Sequence, residues 1–141
     1  VIPNCVSLLG TLRYFDIAVR DRVKKRIEEL SHQIAASFNT TAKVTLTDGY
    51  IPTINDEDAT ELALASIKNL IAPQYLKGDK IPSMGAEDFG FMLKERPGAY
   101  LYIGNDFDDE IIPLHTDRYN FNDDNLLVGA AIWIQLALDY L

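Results

Sequence analysis

Apolar and polar residues alternate along residues 6–15. Val6, Leu8, Leu12 and Tyr14 share one side, and Ser7, Leu9, Thr11 and Arg13 share the other, the period-two pattern of a strand. Gly10 interrupts the apolar side, as at a bulge or a close backbone approach. From Asp16 onward the period changes. Val19, Val23, Ile27, Leu30, Ile34 and Phe38 follow in steps of three or four, which predicts a helix with one apolar stripe and Asp16 as its N-cap. Arg20, Arg22, Lys24, Lys25, Glu28 and Glu29 fill the opposite face, read as solvated rather than as a basic patch for an anionic partner. His32 also falls off the stripe. Lys43 to Tyr50 alternates again, with Val44, Leu46 and Tyr50 on one side. Strand, helix and strand make a β-α-β unit, and such a unit needs further strands beside it.

Ile51-Pro52-Thr53-Ile54-Asn55 carries a proline and no periodicity, and it reads as a crossing between two domains. A helix is predicted from about Glu57 to Ile71, capped by Asn55 or Asp56, with Leu62, Ile67, Leu70 and Ile71 inward; Pro73 stops it. Lys77 to Ser83 reads as a loop, Ala86 to Lys94 as a short helix, and Pro97-Gly98 as a turn. Ala99 to Gly104 is continuously apolar, as a strand buried on both faces would be. Asp124 to Leu141 predicts a closing helix with Leu127, Ala131, Ile134, Leu138 and Leu141 on one stripe. A lone buried strand leaves its backbone groups unpaired. The expected organisation is therefore two part-domains: residues 1–52 as half of a small α+β unit, and residues 53–141 as the C-terminal share of a larger α/β domain. The opening Val1-Ile2-Pro3-Asn4-Cys5, without an initiator methionine, fits a part of a longer protein.

Composition narrows the partners. The 141 residues are 48% apolar, and thirteen basic against twenty-one acidic residues give a net charge of −8. That balance argues against a general nucleic-acid or anionic-membrane surface. No apolar run approaches the roughly 18 residues that span a bilayer, and no leader pattern opens the chain. A single cysteine, Cys5, excludes an internal disulfide and fits a reducing compartment, so a cytoplasmic location is expected. As a free thiol it reads as a small buried hydrophobe.

Candidate chemistry gathers in three places. His115, one of two histidines, lies in a loop between an apolar segment and the last helix, where functional groups often sit. A metal ion needs several protein ligands, so His115 is either a solvated loop histidine or one arm of a composite site. Its second ring nitrogen would need an acceptor, for which Asp117 is near in sequence. Arg13 lies opposite the apolar side of its strand, and its guanidinium fork suits a carboxylate; a surface arginine paired with an acid is the alternative. Gly85-Ala86-Glu87-Asp88 opens a predicted helix, where backbone N–H groups favour an anion, or where Glu87 and Asp88 simply favour the helix start. Asp106, Asp108, Asp109 and Glu110 lack the spacing of a calcium loop and read as solvated. Asn122, Asp123 and Asp124 read as a cap for the last helix. Met84 and Met92 carry no cofactor signature, and there is neither a phosphate-binding glycine loop nor a Ser-His-Asp order.

Gly10-Thr11-Leu12-Arg13, then Pro82-Ser83-Met84-Gly85-Ala86-Glu87-Asp88-Phe89, then Pro113-Leu114-His115 followed by Tyr119-Asn120-Phe121-Asn122-Asp123 occur in this order. Together they resemble the zinc-dependent aminoacylase/carboxypeptidase family, in the branch of N-acyl-amino-acid amidohydrolases that includes hippurate and indole-acetyl-amino-acid hydrolases. The resemblance runs over essentially the whole chain. It implies the C-terminal part of an α/β metallopeptidase-like catalytic domain, preceded by half of an inserted α+β, ferredoxin-like lid or dimerisation domain.

It also implies a divalent metal, zinc with manganese or cobalt as alternatives, bound in part by His115. The remaining ligands and the glutamate general base would lie in an N-terminal part of the same protein, so no catalytic residue is assigned here and the chain alone is expected to be inactive. Arg13 would hold the substrate carboxylate, and Gly85 and Glu87 would border the pocket. The expected substrate is an N-acyl amino acid or small peptide, and the lid would form a homodimer. The competing readings are a non-catalytic lid module or degenerate homologue that binds amino-acid derivatives, and, ranked last, a self-contained metal site of Glu87 or Asp88 with His115.

Overall fold

The computed structural model describes residues 1–77, 82–105 and 112–140. Among them are four α-helices, α1 (Ile17–Ser37), α2 (Glu57–Lys68), α3 (Phe89–Glu95) and α4 (Asp124–Tyr140), and a 3₁₀ turn at Pro73–Tyr75. The chain divides into two compact units, Val1–Thr53 with Pro82–Phe91, and Ile54–Ile81 with Met92–Leu141.

In the first unit the helix signals act as their chemistry requires. The Asp16 carboxylate accepts from the Val19 N–H at 2.9 Å, closing the N-terminus of α1. At the other end Asn39 adopts φ 56°, its N–H donates to the Ala36 carbonyl, and the Thr40 N–H donates to the Ala35 carbonyl. This is the paired closure that a left-handed residue after a helix allows, with asparagine in the place glycine usually takes.

The stripe does not decide what α1 covers. Val19, Ile27, Leu30 and Ile34 stay exposed, whereas Arg20 and Lys24, expected on the solvated face, are half-buried. Both reach Asp48, Lys24 as a direct ion pair and Arg20 at 3.9 Å. The Lys24 ammonium holds the Asp48 carboxyl below its ordinary pKa. Arg20 also lies 5.5 Å from the centre of the Tyr14 ring. Cys5, expected to be buried, is exposed, because residues 1–11 are exposed throughout.

None of the three expected strands is present among the described residues. A strand exists only where a neighbouring backbone completes its ladder, and here side chains take that place. Residues 6–15 and 43–50 are linked by the Tyr14 hydroxyl, which donates to the Tyr50 carbonyl at 3.1 Å. Residues 99–104 are held by asparagines: Asn55 accepts from the Tyr100 N–H at 2.8 Å and donates to its carbonyl at 3.1 Å, and Asn125 donates to the Gly104 carbonyl at 2.8 Å.

In the second unit Asp56, not Asn55, caps α2, accepting from the Ala59 N–H at 2.9 Å. Helix α2 packs on α4. Its buried residues are Ala63, Ser66 and Ile67, while Leu62 and Leu70, expected inward, are exposed. In α4 the covered face runs through Asn125, Gly129, Ile132 and Leu136. Ile132 is buried, whereas Leu127 is 80% exposed and Ile134 and Leu138 face outward with it. The helix is apolar on both sides, so spacing alone could not choose the face turned to α2. Leu141 and the acidic stretch Asp106–Glu110 fall outside the described residues.

Candidate functional site

Arg13 and the Met84–Gly85 segment meet in the first unit. The Arg13 Nη1 donates to the Met84 carbonyl at 2.8 Å, so one of the five guanidinium N–H groups is taken by backbone and the exposed side chain offers the others. Gly85 follows directly, its N–H donating to the Ser83 hydroxyl at 3.1 Å. A side chain at Gly85 would meet only that hydroxyl, at 3.3 Å. Glu87 is half-buried two residues on. The helix expected from Ala86 begins only at Phe89, with the Phe91 N–H donating back to the Asp88 carbonyl at 3.0 Å. Gly85–Asp88 therefore precedes the helix instead of opening it as the sequence suggests. Glycine at position 85, and aspartate at 88, are both weak helix formers, which fits the late start.

Sequence reasoning missed Gly90. It is the buried residue of α3, and a Cβ there would lie 3.1 Å from both the Ile51 and Pro52 carbonyl oxygens and 3.2 Å from the Thr53 hydroxyl. The backbone of residues 51–53 passes close over Gly90, so any side chain there would push those atoms back. An isolated glycine inside a helical pattern was the available signal.

His115 belongs to the second unit. Its backbone is left-handed, at φ 64°, where a residue with a side chain pays roughly 1–2 kcal/mol. Histidine tolerates the region better than most residues, but such strain persists only where the surroundings impose it, and it concentrates at functional sites. The Thr116 hydroxyl donates to the Pro113 carbonyl at 3.0 Å and the Tyr119 N–H to the Thr116 carbonyl at 3.2 Å, folding the turn around the exposed imidazole. Asn122 accepts from the Asp124 N–H at 3.1 Å, the cap expected for α4.

Among the described residues no three His, Cys, Asp or Glu side chains come together as a metal site. An exposed imidazole on a constrained turn fits one position in a metal's ligand set, and the rest of the set must be supplied by other residues.

Residues 6–139 match the model of peptidase family M20/M25/M40. The chain is 36% identical over 110 residues to the N-acetyl-L-cysteine deacetylase of Bacillus subtilis (strain 168), covering 78% of this chain and 26% of that protein. It is 28% identical over 141 residues to the hippurate hydrolase of Campylobacter jejuni, covering 100% of this chain and 36% of the relative. It is 30% identical over 146 residues to the IAA-amino acid hydrolase ILR1-like 2 of Arabidopsis thaliana, covering 100% and 33%. The chain thus spans between about a quarter and just over a third of the length of these relatives. No solved structure matches. With a family match that runs unbroken from the strand-like segment before α1 to the end of α4 and takes in all the motif residues from Gly10 to Asp123, the chain belongs to peptidase family M20/M25/M40.

Proposed function

We propose that this chain is the C-terminal part of a metal-dependent amidohydrolase that cleaves the amide bond of N-acyl amino acids or small peptides. The observation that carries the reading is the family match over residues 6–139, supported by relatives named as a deacetylase, a hippurate hydrolase and an amino-acid-conjugate hydrolase. In this reading residues 1–52 belong to the lid, through which two copies pair as a homodimer, and residues 53–141 complete the catalytic domain. The protein works in the cytoplasm; no described helix is long and apolar enough to cross a membrane.

His115 would offer one imidazole nitrogen to a divalent ion, zinc or in its place manganese or cobalt, which when bound would supply Lewis acidity to the scissile carbonyl and lower the pKa of a water. Arg13 binds the substrate carboxylate with the guanidinium N–H groups that Met84 leaves available. Gly85 lets backbone approach the substrate, and Glu87 borders the same pocket.

The test uses the full-length protein and a panel of N-acetyl and N-benzoyl amino acids. Hydrolysis should stop on chelation and return with added zinc. Turnover that persists in metal-free protein overturns the reading. Arg13→Ala should raise KM for substrates with a free carboxylate by about 10–100-fold, the worth of a charge-assisted hydrogen bond, while the matching carboxamides change little. Equal losses for both would mean that Arg13 acts only by holding the Met84 carbonyl.

A further inference from the structure

We propose that Asn105 is a positioning residue for His115, its carboxamide bracketing the backbone of the loop that carries the imidazole. The inference rests on His115 being a metal ligand and goes beyond it by assigning what holds the ligand in place.

The bonds inside the turn, from Thr116 to Pro113 and from Tyr119 to Thr116, shape it but anchor it to nothing else. The anchor comes from Asn105. Its Nδ2 donates to the Asn120 carbonyl at 2.9 Å, and its Oδ1 accepts from the Asn122 N–H at 2.8 Å. A primary carboxamide presents a donor and an acceptor side by side, which matches a carbonyl and an N–H two residues apart on an extended backbone. The side chain thereby does for residues 120–122 what a neighbouring strand would do. Asn125, in the first turn of α4, ties the adjacent Gly104 carbonyl down at 2.8 Å. Asn105, Asn122 and Asn125 are half-buried although Leu101–Gly104 and Leu114–Arg118 around them are exposed.

The far end of the same segment is fixed by a second asparagine. Asn55 brackets Tyr100 through its N–H and carbonyl, and the neighbouring Asp56 N–H donates to the Gly98 carbonyl at 3.0 Å. The start of α2 thus holds residues 98–100, and Asn105 passes that fixation to the loop after His115. The left-handed backbone at His115 relaxes unless something outside the turn opposes it. Asn105, bonded to the backbone of both Asn120 and Asn122, supplies such a restraint.

The chemistry discriminates among replacements. Asn105→Ala loses both contacts. Asn105→Asp keeps the acceptor for the Asn122 N–H but turns a second oxygen toward the Asn120 carbonyl, so it should fall between wild type and alanine. Zinc affinity of the full-length protein is measured by competition with a chromophoric chelator, alongside the visible spectrum of the cobalt-substituted form and the unfolding of the metal-free form.

Asn105→Ala should weaken zinc about tenfold or more, within the range known for partners that orient metal ligands. It should also shift the cobalt bands, and Asn105→Asp should do both to a smaller extent. A purely structural role would lower unfolding resistance while leaving zinc affinity and the cobalt spectrum at wild-type values, and that result overturns the proposal. If the alanine variant does not fold, the same two readouts on the aspartate variant decide it. His115→Ala, run in parallel, separates the two failures. Zinc retained by that variant refutes the ligand assignment itself, whereas zinc lost there but unchanged in the Asn105 variants refutes the positioning role alone.

Discussion

His115→Ala in the full-length protein is expected to release the metal and to reduce amide hydrolysis by more than the roughly 10–100-fold that follows loss of an orienting partner. The larger loss follows from the proposed function, in which His115→Ala removes a ligand and not its support, and a catalytic zinc typically has only three protein ligands. His115→Gly makes the result specific. Glycine occupies φ 64° without steric penalty, so the turn should form with less strain while the metal is lost as completely. Metal content by elemental analysis and hydrolysis of an N-acyl amino acid read the outcome together. Wild-type metal and turnover in both variants would remove His115 from the site.

The second large effect is expected at Gly90. Gly90→Val should destabilise the protein by about 2–3 kcal/mol, since overpacking a filled position costs roughly 1–3 kcal/mol and the obstructing atoms are backbone oxygens of Ile51 and Pro52 at 3.1 Å. Gly90→Ala should cost less, because alanine recovers nearly 1 kcal/mol of helix propensity against the same crowding. Gly49, where an added Cβ would meet nothing within 4 Å, provides the control: Gly49→Val should leave stability close to wild type. Denaturant unfolding of the three variants tests the ordering, and similar midpoints for Gly90→Val and Gly49→Val would contradict it.

These two positions differ in how far the sequence exposed them. His115 stood out through its motif, but the left-handed backbone that constrains it did not, because nothing in Pro113-Leu114-His115 demands a positive φ. Gly90 was visible as a helix glycine, yet the carbonyls above it come from Ile51 and Pro52, and only tertiary structure reveals that crossing. The starts of α1 and α2 were legible because capping is local: Asp16 and Asp56 each accept from the N–H three residues on.

Strands were over-read, since alternation at residues 6–15 and 43–50, like the continuous apolar run at 99–104, reports an extended segment and not the partner that completes it. At Tyr100 and Gly104 that partner proved to be asparagine side chains. The face of α4 was unreadable for a different reason. With leucine or isoleucine on both sides, only contact with α2 turns Ile132 inward and leaves Leu127 out. Of the site residues, Arg13 and Gly85 are brought to one place through Met84, a proximity that their separation in sequence concealed.

The Arg13–Met84 bond joins positions 71 apart along the chain, and that span bears on the order of assembly during synthesis. The ribosome must deliver all of α2 before the partner of Arg13 exists, so α1 and its flanking segments wait with an unfinished edge while a different unit starts to fold. Closing contacts of such long range slow the final step and lengthen the interval in which apolar surface is open to wrong neighbours. Keeping the excursion between Thr53 and Pro82 short and quick to order is therefore a kinetic demand on residues that take no part in the chemistry.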